Sequence, residues 1–364
     1  MKPELQLSVV TPTYCERENV VPLINALETA LEGIIWEVIF VDDNSTDGTA
    51  DAVRSIAQRD TRVRCVQRIG RRGLSTACIE GILASSSPIV AVIDADMQHD
   101  EKILPAMLRA IYDGSELVIG TRYAIGGSVA GWNKTRLAMS RAATCVSAIV
   151  CKRRVSDPMS GFFMLRRELF MQICGGLSGL GFKILVDILS SAPRTTRVAE
   201  IPYTFRDRHT GVSKLDSVVL WEYGMLLADK LIGRFIPVRL ISFGLVGSFG
   251  VLTHLATVYI ALHIAGLAFQ PAQIIATAIA MISNFALNNL LTYRDRRLKG
   301  ARWFVGLLVF CAVCSIGAVA NVGVAGFLFG RDTGWIVSAL AGIAVGTVWN
   351  FAASNTFAWR RRDK

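Results

Sequence analysis

Ile89-Val90-Ala91-Val92-Ile93-Asp94-Ala95-Asp96-Met97-Gln98-His99 is the stretch that decides the fold. Its unbroken run of small and β-branched apolar residues, Ile89–Ile93, reads as a strand, and it ends at Asp94, the first of two alternate carboxylates. The same design recurs on either side. Leu7–Thr11 reads as a strand leading into Pro12-Thr13-Tyr14-Cys15-Glu16, and Trp36–Val41 as one leading into Asp42-Asp43. Val63–Gln67 is another, and Leu117–Gly120 ends at Thr121-Arg122. Between them, Glu18–Leu31, Gly48–Gln58, Thr76–Ala84 and Glu101–Tyr112 carry helical patterns. Strands separated by crossover helices predict an α/β, Rossmann-like domain with a mostly parallel, doubly wound sheet.

Ligands of such sheets sit outside the carboxyl ends of the strands, where these acids and Arg122 fall. Alternate carboxylates leaving a strand aim at one hard cation. Mg²⁺ or Mn²⁺ suits them, because it takes oxygen ligands and accepts one or two carboxylates plus substrate phosphates. Asp94 and Asp96 are the expected ligands, with Gln98 as a neutral oxygen. The chain carries neither a G-x-x-x-x-G-K-[ST] nor a G-x-G-x-x-G. A phosphate-bearing substrate would therefore rely on the metal for charge neutralisation.

The remainder of the chain is of another kind. Of 364 residues, 52% are hydrophobic and 19% charged, against about 25% charged in an ordinary soluble domain. This excludes a disordered chain and a small disulfide scaffold. The deficit lies in three runs without Asp, Glu, Lys or Arg: 54 residues from Leu240 to Tyr293, 28 from Trp303 to Gly330 and 27 from Thr333 to Trp359. A bilayer crossing needs about 20 apolar residues, so these runs predict four transmembrane helices near 238–262, 270–293, 303–328 and 335–359. Residues 236–364 hold 11 Lys+Arg against three acids, which places most of the net +10 in the membrane half and argues against a nucleic-acid partner. The basic segments 294–302 and 360–364 predict a cytoplasmic position for that loop, the tail and the N-terminal half. No signal peptide is expected at the start. The eight cysteines lack framework spacing, and Cys311-x-x-Cys314 reads as small packing residues of a membrane helix. Residues 217–235 read as an amphipathic helix lying on the inner leaflet, which divides the chain into 1–216, 217–235 and 236–364.

Several segments, taken in order, carry a resemblance. Val10-Thr11-Pro12-Thr13-Tyr14-Cys15-Glu16-Arg17-Glu18-Asn19, Val41-Asp42-Asp43-Asn44-Ser45-Thr46-Asp47 and Asp94-Ala95-Asp96-Met97-Gln98-His99 are joined by Gly120-Thr121-Arg122-Tyr123 and Asp157-Pro158-Met159-Ser160-Gly161-Phe162-Phe163. Gly181-Phe182-Lys183-Ile184-Leu185 and Gly211-Val212-Ser213-Lys214-Leu215 complete the set. Together they resemble family 2 glycosyltransferases, nearest to the dolichyl-phosphate and polyprenyl-phosphate mannose synthases. Cys15 departs from the Asn usual there. The membrane half resembles a GtrA-like four-helix domain and repeats internally. Asn284-Phe285-Ala286-x-x-Asn289-x-x-x-Tyr293-Arg294 recurs 66 residues later as Asn350-Phe351-Ala352-x-x-Asn355-x-x-x-Trp359-Arg360.

The resemblance implies a GT-A type catalytic domain and inverting transfer of a hexose from a nucleotide sugar, GDP-mannose foremost, to a polyprenyl or dolichyl phosphate. It implies nucleotide-sugar contacts at Pro12, Tyr14, Glu16, Asp42, Asp43, Asp94, Arg122 and Lys214. Acceptor-phosphate contacts would fall to Arg122, Arg136, Ser160 and Arg208, and catalytic roles to Asp96, Arg122, Arg208, Lys214 and Asp187. Asp187 stands as a sugar contact or base against a structural ion pair. Four alternatives are weighed beside this: glucosyl transfer from UDP-glucose to undecaprenyl phosphate, glycolipid translocation by the membrane half, a binding protein with a dead site, and a processive polysaccharide synthase. The last needs a Gln-x-x-Arg-Trp segment that the chain lacks.

Overall fold

The computed structural model describes residues 4–70, 72–129, 134–206, 217–233, 235–331 and 333–360. The chain divides into two compact units, Met1–Leu231 and Ile232–Lys364.

The first unit is built on strands β1 (Leu7–Thr13), β2 (Trp36–Asp42), β3 (Val63–Gln67), β4 (Ile89–Val92), β5 (Leu117–Thr121), β6 (Ser128–Val129), β7 (Phe163–Arg166), β8 (Val198–Pro202) and β9 (Thr204–Phe205). Its helices are α1 (Val20–Ala30), α2 (Thr49–Ala57), α3 (Leu74–Ala84), α4 (Leu104–Tyr112), α5 (Lys134–Ser147), α6 (Arg167–Ile173), α7 (Ile184–Ser191) and α8 (Ser217–Ile232). Seven strands form one sheet in the order β3-β2-β1-β4-β7-β5-β8, and β6 pairs with β9 apart from it. All pairings of the large sheet are parallel except those of β7, which runs antiparallel between β4 and β5.

Two-residue periodicity sorts the central strands into two cores. Leu7, Val9, Val38, Phe40 and Ala91 join α1 and α4 residues such as Leu27 and Met107. Val10, Ile39, Val41, Val90 and Val92 join Ala77, Cys78 and Ile82 of α3 with Leu185 and Ile188 of α7. Helices thus cover both faces, as a sheet of uninterrupted apolar strands requires. On one face α3 lies against the strands at Gly81, where a Cβ would stand 2.3 Å from a Val10 methyl.

The strands and helices expected from the sequence are present, with β1 running on to Thr13. The antiparallel β7 and the edge strand β8 are additions that the sequence pattern does not announce. The chain lays β2 and β3 outward on one side of β1 and then returns to place β4 on the other. The topological switch point therefore opens between β1 and β4, where a doubly wound sheet binds its ligand. Because β7 runs the opposite way, it begins at the carboxyl ends of β4 and β5, and the segment before it, 157–162, reaches that same rim.

α8 packs on the first unit along one side. Leu226 is buried with Met159 and Val186, and the Tyr223 hydroxyl donates to the Ala143 carbonyl at 2.7 Å. Leu220 and Leu231 remain exposed.

The second unit holds α9 (Val238–His263), α10 (Phe269–Leu287), α11 (Ala301–Phe329) and α12 (Trp335–Ala353). Among the described residues, Val238–His263, Phe269–Thr292 and Ala301–Leu328 are long and apolar enough to cross a membrane. α12 is a 19-residue helix. α10 and α12 each end in a five-residue π turn, Asn288–Thr292 and Ser354–Ala358, at equivalent places of the sequence repeat. The repeat's closing aromatics, Tyr293 and Trp359, stack with centroids 4.2 Å apart and planes 8° from parallel. Asn289 Oδ1 accepts from Trp359 Nε1 and from the Leu298 amide, while its Nδ2 donates to the Leu298 carbonyl. Asn289 thus ties helix ends and a loop together, as a polar group in a membrane helix must. Gly250 and Gly317 leave the space that Asn284 and Asn350 fill.

Candidate active site

Each strand end contributes a turn that its own residues stabilise. After β2, the Asp42 carboxylate accepts from the Ser45 amide at 2.9 Å. After β1, the Cys15 amide donates to Ser45 Oγ at 2.8 Å, and the Glu16 carboxylate accepts from Asn19 Nδ2 at 2.7 Å. Among the described residues, the only non-glycine positions with positive φ are Cys15 (58°), Asn44 (56°) and Met97 (61°). They follow the central strands β1, β2 and β4. Left-handed backbone costs energy in side-chain-bearing residues, and its concentration at one rim marks a functional surface. Cys15 takes this conformation where Asn, a residue that tolerates it, is usual in the resembling family.

Asp43 is buried and anchors the rim. Its carboxylate takes the Arg68 guanidinium at 2.6 Å and the Gly73 amide at 2.7 Å. Burial pushes its carboxyl above the usual range, against the pull of Gly73 and Arg68. Arg68 is itself buried and ties the β2 end to α3 through Thr76 and Glu80. The Arg72 guanidinium lies 4.5 Å from the Tyr14 ring centre, so Tyr14 sits in basic surroundings.

Asp94 and Asp96 leave β4 as expected. His99 Nε2 lies 3.2 Å from Asp94 Oδ2, and its Nδ1 lies 2.7 Å from the Tyr203 hydroxyl. An ionised carboxylate only accepts, so the proton on Nε2 faces Asp94 in the neutral tautomer and Nδ1 accepts from Tyr203. The Gln98 backbone amide donates to Asp96 Oδ1 at 3.2 Å, and Gln98 Nε2 donates to the Arg206 carbonyl at 3.0 Å. Arg206 closes the same loop by pairing with Asp100 and Glu101. Gly161 lies against Asp94, where a Cβ would stand 2.6 Å from Oδ2.

The donor set fits a hard divalent cation. Two carboxylates and an amide oxygen share one turn, and the missing Gly161 side chain leaves room at Asp94. Among the described residues no cluster of three or more His, Cys, Asp or Glu is placed to cage a metal. A cation held here would complete its shell with phosphate or water oxygens, the usual habit of Mg²⁺.

The segment before β7 supplies what sequence reasoning left unassigned. Asp157 is fully buried and holds Arg122 through Nε at 2.6 Å and Nη2 at 2.8 Å. This planar, bidentate pair fixes Arg122 at the β5 end. Two residues on, the Met159 carbonyl accepts from Lys183 Nζ at 3.3 Å. Burial and the nearby Arg122 lower the Lys183 ammonium below the ordinary lysine range.

Two expected site residues have other work. Ser160 is buried, and its hydroxyl donates to the Gly120 carbonyl at 2.7 Å while accepting from the Phe162 amide. These bonds pin the β5–β7 junction. Asp187 is also fully buried. It accepts from the Ser178 amide and hydroxyl and the Gly179 amide, and it pairs with Lys230 of α8 at 2.5 Å. The structural ion pair that the sequence allowed for Asp187 is therefore present, and it holds α8. Arg208, Lys214 and the side chain of Arg136 lie outside the described residues.

Comparison with known proteins agrees with this architecture. Residues 8–174 match the model of glycosyl transferase family 2, and residues 242–359 that of the GtrA/DPMS transmembrane domain. The chain belongs to the family 2 glycosyltransferases of the dolichol-phosphate mannosyltransferase type, with a GtrA/DPMS membrane domain, and is an enzyme of the membrane. A dolichol-phosphate mannosyltransferase from Pyrococcus furiosus is 32% identical over 94% of this chain and 96% of its own. Those of Mycosarcoma maydis and Saccharomyces cerevisiae are each 34% identical, over 63% and 66% of this chain and 80% and 92% of their own. A solved glucosyl-3-phosphoglycerate synthase from Mycobacterium tuberculosis overlays 63% of this chain and 79% of its own with a TM-score of 0.45 and 22% identity, too loose a likeness to place residues.

Proposed function

We propose that this enzyme transfers mannose from GDP-mannose, with inversion, to the phosphate of a polyprenol of the dolichol type at the cytoplasmic membrane face. The observation that carries the reading is the convergence of Asp94, Asp96 and Gln98 with the β1, β2 and β5 ends on one rim, in a chain aligned almost end to end with a dolichol-phosphate mannosyltransferase. Asp94, Asp96 and Gln98 would hold Mg²⁺ or Mn²⁺, which when bound neutralises the diphosphate that must leave. Pro12, Tyr14, Glu16, Asp42 and Asp43 form the nucleoside side of the rim. Arg122, kept rigid by Asp157, brings positive charge to the phosphate side. Arg136, Arg208 and Lys214 take the phosphate-binding roles that the resemblance implies.

An acceptor phosphate oxygen attacks the anomeric carbon from the face opposite the diphosphate. The bond to the diphosphate breaks, and its electron pair leaves with the nucleotide. The nucleophile is already an anion near pH 7, so positioning two anions matters more than a strong base. The commitment of Asp187 to Lys230 is in keeping with this. On this reading the membrane half crosses the bilayer four times, the basic 294–302 loop is cytoplasmic, and the exposed apolar side chains of α8 meet the inner leaflet.

The test supplies the full-length enzyme in detergent with GDP-mannose or UDP-glucose, Mg²⁺ or Mn²⁺, and dolichyl or undecaprenyl phosphate. The expected product is a mannosyl lipid formed from GDP-mannose. Asp96→Ala should lower transfer by about a hundredfold or more with unchanged melting. A glucosyl product would replace the donor, whereas the absence of glycolipid from any sugar nucleotide would refute the function. Full turnover in Asp96→Ala would refute the metal assignment.

A further inference from the structure

We propose that Lys183 is a phosphate-binding residue of this site, contacting a phosphate of the sugar donor or of the lipid acceptor. The inference rests on the transfer reading above and adds a residue to it. One five-residue segment, Asp157–Gly161, makes the case by what lies against it. Asp157 grips Arg122, the Met159 carbonyl meets Lys183 Nζ at 3.3 Å, and Gly161 abuts the Asp94 carboxylate. The ammonium therefore lies near the metal-side acid and the Arg122 pair, close enough to feel the charges of Asp94, Asp157 and Arg122.

Its charge has no close ion-pair partner there, and Asp94 and Asp157 attract it only at longer range. Among the described residues no carboxylate oxygen lies within 4.0 Å of Lys183 Nζ, and the Met159 carbonyl is its one hydrogen-bond acceptor. The neighbouring cation Arg122 is matched by Asp157, and the half-buried Lys230 by Asp187. Lys183 alone of these three holds a half-buried positive charge with one neutral partner. A half-buried ammonium keeps such a place at a cost unless an anion completes it. Asp94 and Asp96 would be offset by a divalent ion, so the positive surplus left at the rim is that of Lys183. A phosphate oxygen, which takes a charge-assisted hydrogen bond from an ammonium, answers both the charge and the unused donors.

Position explains why the chain can hold the residue there. Lys183 is the N-cap of α7, and its carbonyl accepts from the Asp187 amide. Just before it, the Gly181 carbonyl accepts from the Ser75 amide of α3. The backbone is fixed from both sides, so the side chain has a defined origin.

Lys183→Met keeps the length of the stem and removes the charge. It is to be compared in the full chain with Lys183→Arg and the wild type, by nucleotide binding without metal, by steady-state kinetics and by thermal melting. The nucleotide probe is GDP or UDP, whichever the wild type binds. A contact to the donor raises the nucleotide dissociation constant of Lys183→Met by about ten- to a hundredfold, partly restored in Lys183→Arg. A contact to the acceptor leaves nucleotide binding unchanged and raises KM for dolichyl phosphate by a similar factor. Nucleotide affinity, acceptor KM and kcat all within about twofold of wild type would overturn the assignment. Equal loss in both variants with a lowered melting temperature would overturn it too, by showing a structural lysine. If the wild type forms no glycolipid, the transfer reading fails, and the nucleotide-binding arm decides on Lys183 by itself.

Discussion

Asp94 is shaped by three neighbours that lie far apart in sequence or carry no charge: His99, Tyr203 behind it, and the bare backbone of Gly161. The imidazole sets the carboxylate's orientation, and the glycine gives it room. In Gly161→Ala the new methyl would stand 2.6 Å from Oδ2, so the carboxylate must move while the backbone need not. We expect Mn²⁺ affinity, followed by electron paramagnetic resonance with bound nucleotide, to fall about tenfold, and transfer with it. Unchanged Mn²⁺ binding would show that Asp94 has slack and that the close approach has no bearing on the metal. At this scale the sequence exposes the acids themselves, since a carboxylate at the end of an apolar strand needs a reason to be there. It sets Asp157 and Lys183 inside motifs without giving either a role, because their meaning depends on charges brought together by the fold.

At the scale of elements, β7 and α8 carry the lessons. β7 is four residues long and antiparallel, too short for its period to be read, yet it delivers Asp157–Gly161 to the rim. α8 is legible in the sequence as a helix with an apolar side. Its docking on the first unit through Leu226, Tyr223 and Lys230 is not, because one apolar stripe serves a core or a bilayer equally well. The Asp187–Lys230 pair makes this testable. Asp187→Asn leaves the largely covered Lys230 ammonium with only the neutral acceptors of the Gly176 carbonyl and Ser191 Oγ, which should cost about 3 kcal/mol and lower the melting temperature. Enzyme that remains folded should turn over within about threefold of wild type. A large loss of kcat without loss of stability would return Asp187 to the catalytic set. In the membrane unit, the repeated Asn and aromatic positions announce a duplicated element. The two π turns and the stacking of Tyr293 on Trp359 show how its copies meet.

At the scale of the molecule the chain forms two compact units, the first holding the glycosyl transferase family 2 match and the second the GtrA/DPMS transmembrane match. All the residues assigned to the reaction belong to the first. Removing 236–364 should therefore leave transfer to a short-chain polyprenyl phosphate in detergent within about tenfold of the full chain, while binding to lipid vesicles falls. Loss of transfer by a folded truncation would show that the membrane unit takes part in the chemistry. By itself the sequence determined the two-part architecture, the alternation of strands and helices, the acidic strand ends and the long uncharged spans. Each of these follows from local periodicity or from the run length that burial in lipid requires. Only the tertiary structure decided which strand lies beside which, that an antiparallel strand feeds the rim, and which charges neutralise one another. Pairing between distant residues leaves no periodic trace, so the partners of Asp187 and Lys183 came into view only with the fold.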